Sequence, residues 1–297
     1  MTLFSSNNLA SLLKNKDIVF RLILINVVIF LVISIIDVTF SLFNLSENSF
    51  NNIWNQLSLS AVPAEVLRKP WTLITYMFMH STSSIFHILI NMLMLYWFGK
   101  IFLVFLQQKK LLNIYIFGGL CGAFMYLVAY QSVPMLRDQP PILGMVGASA
   151  SVIAIMIATA TLVPDYKIML LFIGEVKLKY VALIFILIDL ISLKGGNSGG
   201  HFAHLGGAIY GFLYIRFIRS NSALSNYIEK TAGKVTGLFK NKDKTYIKYK
   251  KVKSVPKQKS SGTSQHNIDS ILDKIAISGY ESLTDHEKEL LFNESKK

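Results

Sequence analysis

The chain has 297 residues, 52% of them hydrophobic and only 16% charged, with a mean hydropathy of +0.46. That balance excludes an ordinary soluble domain, where about a quarter of residues carry charge. Much of the formal charge of +13 sits in residues 230–259, outside the apolar part, and a lone cysteine, Cys121, excludes a disulfide within the chain.

The start, MTLFSSNNLASLLKNKD, has no compact cleavable signal with a small-residue cut site. Residues 1–18 therefore read as a cytoplasmic segment and the apolar run behind them as a retained anchor. Runs near the roughly 20 residues that a bilayer crossing needs then recur. They predict six helical spans, about 19–37, 85–106, 111–131, 149–163, 177–193 and 201–219. The fold class is an all-α polytopic membrane protein with a membrane domain over 19–219. The long 38–84 segment contains VPAEVLRKPW, an amphipathic mix that, with Trp54 and Trp71, suits a membrane interface.

Loop charges set the direction. Lys14, Lys16 and Arg21 precede the first span, Lys109 and Lys110 the third, and Lys167, Lys177 and Lys179 lie between the fourth and fifth. Arg216, Arg219 and a Lys-rich stretch follow the sixth, while the alternate loops are poorer in base. Both termini are then cytoplasmic. The second, fourth and sixth spans run from outside to inside, and they begin with His87, Ser149, and His201 with His204. Polar groups in lipid are costly and face a bundle interior or a wet cavity. Their shared depth predicts one site near the outer face.

The approach to Ser149 is apolar, but Pro140, Pro141, Gly144 and Gly147 break helical continuity. A helix start offers unpaired N–H groups and a positive dipole end, suited to an oxyanion. A serine hydroxyl is a poor nucleophile until a base takes its proton, and His204 is the candidate base. Equally, Ser149 or Ser151 could cap the helix. Ala150, Ala154 and Ala158 recur on the fourth span, and Gly207 and Gly211 on the sixth. Small residues let membrane helices come close. His87 and Asn91, four apart on one face, could donate to an oxyanion or bond neighbouring helices. Asp189, near the outer end of the fifth span, could reach the depth of His204 as a third member or serve structure or gating. No set of Cys or His stands at metal-ligand spacing.

Jointly, PWTLITYMFMH at 70–80, HILIN at 87–91, GAS at 147–149 and AHLGGAIYG at 203–211 resemble the rhomboid intramembrane serine proteases. The resemblance implies a six-helix core and a Ser–His dyad without cofactor or metal. Ser149 matches the nucleophile, His204 the base, and His87 and Asn91 the oxyanion donors. His201 does not match the base position; it reads as cavity lining or helix-start hydrogen bonding. Ala150, Ile153 and Thr72 stand where the family often has glycine, tyrosine and arginine. Implied substrates are single-pass membrane proteins with helix-destabilising residues and a small residue before the cut. The implied location is a bacterial inner membrane. A non-catalytic helix-binding relative and a proton-relay transporter are the competing readings; a transporter predicts paired acids and repeated halves.

Residues 220–265 are basic, polar and poor in aliphatics, a flexible linker placed to meet anionic headgroups rather than nucleic acid. Residues 266–297 turn ordered again. Ile268, Ile271, Leu272 and Ile275 predict a helix ended by Gly279, and Thr284 with Glu287 predicts a capping box for a second. This hairpin resembles cytoplasmic tails of some Bacteroidetes-type rhomboids.

Overall fold

The computed structural model describes residues 17–138, 143–170, 174–220, 271, 274 and 283–294. The chain divides into two units, Met1–Lys240 and Asn241–Lys297. Residues 1–16, nearly all of the expected 220–265 linker and most of the first tail helix lie outside the described residues.

In the first unit a helix forms at each of the six expected places. They are α1 (Ile18–Leu42), α2 (Ile85–Phe105), α3 (Gln108–Ser132), α4 (Ser149–Leu162), α5 (Leu178–Ile191) and α6 (Ser198–Ser220). Three of them, α1, α2 and α3, are long and apolar enough to cross a membrane. The outward faces of α1 and α5 expose Val28, Leu31, Ile35, Leu183, Leu187 and Ile191. Apolar surface of that extent marks contact with something other than water.

Helix α4 is the axis. Its Ala-rich sequence is apolar all round, and a helix of that kind is buried; 11 of its 14 residues are. It packs against α2, α3 and α6. A Cβ added at Gly207 would lie 2.1 Å from the Ala150 carbonyl oxygen, and one at Gly211 would lie 2.2 Å from that of Ala154. On the α3 side, Gly118 and Gly122 meet the Cβ atoms of Ala154 and Ala150 in the same way. The small-residue rows expected to let α4 and α6 approach are in contact.

One end of the bundle is tied by polar contacts. Asp17 caps α1 by accepting from the Phe20 amide and pairs with Lys100 of α2. The Ile18 amide donates to Gln108 Oε1 at the start of α3, and Arg219 of α6 donates to the Leu162 carbonyl at the end of α4. Within the core, Asn26 Nδ2 donates to Tyr115 Oη at 3.1 Å, whose hydroxyl donates to the Met77 carbonyl at 2.9 Å.

Two regions differ from expectation. The basic loop between the fourth and fifth spans contains a hairpin of β1 (Lys167–Leu170) and β2 (Gly174–Lys177), with Lys167 opposite Lys177. Like charges in that register repel. Lys167 bonds Glu175 at 2.8 Å, and Lys177 and Lys179 bond Asp165 at 3.1 and 2.9 Å. In the 38–84 segment, Trp54 is not an interfacial side chain. It is buried against Ile33 and Met79, while Trp71 is half exposed and donates from Nε1 to the Gln56 carbonyl. Short helices at Glu47–Leu57, Pro63–Arg68 and Thr72–Thr75 and a 3-10 turn at Tyr76–Phe78 give this segment its own folded shape.

In the second unit, α7 (Asp285–Glu294) begins with the expected capping box. The Thr284 amide donates to Glu287 Oε2 at 2.8 Å and the Glu287 amide to Thr284 Oγ1 at 3.4 Å. Lys274 beside Glu287, then the Thr284 amide, hold its carboxyl down at about 2.

We expect Gly207→Ala to push α6 off α4 at a cost of about 1–3 kcal/mol. The measurement is a lower Tm in detergent, with Gly196→Ala, whose Cβ would meet nothing within 4 Å, unchanged. For the tail, a carboxyl whose pKa is depressed on folding stabilises above its unfolded value and loses that contribution as pH falls. Protection of the Thr284 amide from hydrogen exchange should therefore hold down to about pH 4.5 and disappear as the solution approaches the value of about 2.

Candidate active site

The chain reaches Ser149 through a pinned loop. Met145 and Leu59 exchange both backbone hydrogen bonds, at 2.8 and 2.9 Å, and the Gly147 amide donates to the Tyr76 carbonyl at 3.0 Å. Gly147 has φ +139°, a conformation that side-chain-bearing residues rarely adopt. A Cβ there would also lie 3.4 Å from both the His87 ring and Ser149 Oγ. The turn delivers Ser149 to the first position of α4, after Ala148.

No side chain caps α4. Ser149 Oγ instead lies 2.7 Å from His204 Nε2, and Ser151 Oγ is buried without a hydrogen-bond partner. The capping alternative for these serines is thus not what the structure holds. His204 Nδ1 is 2.8 Å from Asp189 Oδ1, and His201 Nδ1 is 2.7 Å from the same oxygen. A carboxylate only accepts, so both imidazoles carry their proton on Nδ1. In the neutral ring His204 Nε2 then keeps its lone pair, and Ser149 donates to it. A hydroxyl bonded to an imidazole whose far nitrogen is fixed by a carboxylate is the geometry of an activated nucleophile.

Ser149, His204, Asp189, His87 and Asn91 line one cavity of about 410 Å³. Its remaining wall is mainly apolar, with Ile90 and Met94 from α2, Ile153 and Met156 from α4, and Phe185 and Ile188 from α5. Asn91 Nδ2 donates to the His87 carbonyl at 2.7 Å. Behind His87 stands His80, 1% exposed, its ring edge-on at 5.3 Å between centroids. Burial, helped by His87, pushes the His80 imidazole down to about 4, so it is neutral.

The structure thus brings five of the six sequence candidates to one cavity and hangs the sixth, His201, on Asp189. Asp189 does more than the dyad expectation gave it, for its carboxylate accepts from the His204 ring. Chain spacing offers no metal-ligand set, yet folding brings one donor atom each from Asp189, His201 and His204 within 4.8 Å of one another. Tyr76 and His80 lie in the PWTLITYMFMH stretch, but the sequence assigned neither of them, nor Leu59, a role in supporting the site.

These features describe an integral membrane protein with a serine, an imidazole and a carboxylate in line at the start of its central helix. Residues 67–221, just over half of the chain, match the Rhomboid domain, and the chain belongs to the rhomboid family. Residues 259–297 match a family of unknown function (DUF6576). The chain is 32% identical over 206 residues to the RHOMBOID-like protein 12, mitochondrial, of Arabidopsis thaliana, covering 66% of this chain and 56% of the relative. It is 28% identical over 140 residues to the Presenilin-associated rhomboid-like protein A, mitochondrial, of Danio rerio, covering 46% and 35%. With the human Presenilin-associated rhomboid-like protein, mitochondrial, identity is 26% over 157 residues, covering 52% and 39%. The matched part spans between about a third and just over half of these relatives' lengths.

Gly147→Ala would force a strained φ beside two site residues, at about 1–3 kcal/mol. We expect a Tm lowered accordingly and labelling of Ser149 by a fluorophosphonate slowed more than the Tm loss explains.

Proposed function

We propose that the protein is an intramembrane serine endopeptidase that cuts transmembrane segments of single-pass membrane proteins near the outer membrane face. The observation that carries this reading is the continuous line Ser149 Oγ–His204–Asp189, opening on a cavity with an apolar lateral wall. In this reading all six helices cross or enter the bilayer, with both ends of the membrane domain on the cytoplasmic side. The linker after α6 meets anionic headgroups there, and the tail helices are cytoplasmic. At about 1.5 Å per residue, α4 is about 21 Å long, short of the roughly 30 Å hydrocarbon core. With its Leu162 end at the cytoplasmic boundary, Ser149 sits below the outer surface, within reach of a substrate helix and of water.

An intact helix pairs every carbonyl internally, so the substrate must unwind before it can be cut. It comes in laterally between α2 and α5, past Met94, Ile90, Phe185 and Ile188. Ser149 Oγ attacks the carbonyl carbon and its proton passes to His204 Nε2. The new imidazolium is stabilised by Asp189. The Ser149 amide, Asn91 Nδ2 and His87 hold the oxyanion, Asn91 giving up its bond to the His87 carbonyl. His204 returns the proton to the leaving amine as the C–N bond breaks. Water then attacks the acyl-enzyme, with His204 again as base.

The test is cleavage of a fluorogenic single-span substrate in liposomes. Ser149→Ala and His204→Ala should be inert. Asn91→Ala should lower kcat by about 10²–10³. Asp189→Asn should lower it by up to about 10⁴ with KM little changed, because the wrong His204 tautomer is then favoured. A Ser149→Ala protein that cuts as fast as wild type removes the nucleophile. If wild type is inert on several such substrates, a helix-binding protein replaces the protease.

A further inference from the structure

We propose that Asp189, His201 and His204 form a three-donor site for a divalent cation of the zinc class, and that metal bound there switches the serine site off. The switching rests on the reading of Ser149 and His204 as nucleophile and base. Holding the His204 tautomer needs one carboxylate and one imidazole. His201 adds a second imidazole on the same oxygen, which the cleavage steps do not use.

Two imidazoles and a carboxylate are a donor set that zinc takes, at about 2.0–2.2 Å, with the fourth position left open. Bonds of that length in a tetrahedron separate ligand atoms by about 3.3 Å. The two pairs now at 2.7 and 2.8 Å part by about half an ångström to admit the ion, and the two imidazole donors, within 4.8 Å of one another, close around it. His201 and His204 stand three apart on α6, so they share a face. Their rings are perpendicular, with centroids 5.6 Å apart. The cluster is partly accessible, the side chains of His201, His204 and Asp189 being 19, 17 and 9% exposed. Asp189 and His204 also line the cavity, which gives the ion an approach and the fourth position a water.

The consequence for the serine follows from proton placement. Without metal, His204 carries its proton on Nδ1 and accepts from Ser149 at Nε2. Coordination through Nδ1 uses the lone pair there, so the neutral ring must carry its proton on Nε2. His201 changes tautomer in the same way, and no net proton is gained or lost. His204 Nε2 now donates to Ser149 Oγ instead of accepting from it. The base has gone although the ring has hardly moved.

The experiment uses the full-length Ser149→Ala protein in detergent, titrated with Co²⁺ as a visible stand-in for zinc. One equivalent should give a d–d absorption that Zn²⁺ abolishes. The band should vanish when His201→Gln is added. It should return with His201→Cys, together with a thiolate-to-cobalt charge-transfer band that separates ligand exchange from misfolding. In the cleavage assay, Zn²⁺ should inhibit wild type reversibly by chelator. His201→Gln should raise the half-inhibitory concentration about tenfold or more, each protein being scaled to its own zinc-free rate. No band in Ser149→Ala overturns the proposal. So does a band indifferent to His201→Gln, or zinc inhibition that His201→Gln does not shift. A His201-dependent band in a protein that cuts no substrate keeps the metal site and removes the protease.

Discussion

The contact between α4 and α6 is the constraint on which the site depends. Helices with ordinary side chains between them keep their axes about 8–10 Å apart. Here Gly207 and Gly211 lie against the carbonyls of Ala150 and Ala154, and backbone meets backbone. The Ser149–His204 hydrogen bond spans the same two helices, next to the Gly207–Ala150 contact. A hydrogen bond weakens steeply once its atoms part or tilt. A methyl group between the helices would therefore act on that hydrogen bond as well as on packing. The rows of small residues and the polar pair are one device, in which packing sets the distance of the Ser149–His204 hydrogen bond.

The same need for fixed geometry explains the folded 38–84 segment. The loop before Ser149 is irregular backbone next to apolar helices, and its polar groups need partners where water is scarce. Leu59 and Tyr76 supply them, and Tyr76 is itself anchored by its hydroxyl on the Gly119 carbonyl at 2.6 Å. Leu59 is fully buried, held in a segment that Thr75 and Trp71 tie to the Leu57 and Gln56 carbonyls. The turn at Gly147 is thus held from one side by this segment and continued on the other by α4. Neither could place the serine alone.

What the sequence disclosed follows what it can encode locally. The six helices were readable because apolar runs are a property of one segment at a time. Ser149, His87, His201 and His204 were readable because each is polar at the start of an apolar run. The Thr284–Glu287 cap was readable because its two members are three residues apart. The β1–β2 hairpin was not, since four-residue strands between lysines look like any basic loop. Trp54 was misread because composition places a tryptophan near an interface without saying which face of its helix turns inward. Asp189 was noticed for its depth, yet its partners stand 12 and 15 residues away on another helix. Only the angle between α5 and α6 decides whether those side chains meet.

That meeting has a physical logic that links the proposed protease to the proposed metal site. A carboxylate among apolar helices must be compensated, because an unpaired charge in low-dielectric surroundings is severely disfavoured. One imidazole N–H supplies a single donor, and Asp189 is given two. The second donor makes the carboxylate tolerable there without withdrawing it from His204, and so the ring keeps its orientation. But an oxygen that gathers two imidazole nitrogens has also gathered the ligands that a small divalent cation prefers. Protons on the two Nδ1 atoms and one metal ion are then rival ways of compensating the same buried charge. They leave His204 Nε2 in opposite roles toward Ser149, one accepting and one donating. The stabilisation of a single aspartate thereby fixes the direction of the hydrogen bond between His204 and Ser149.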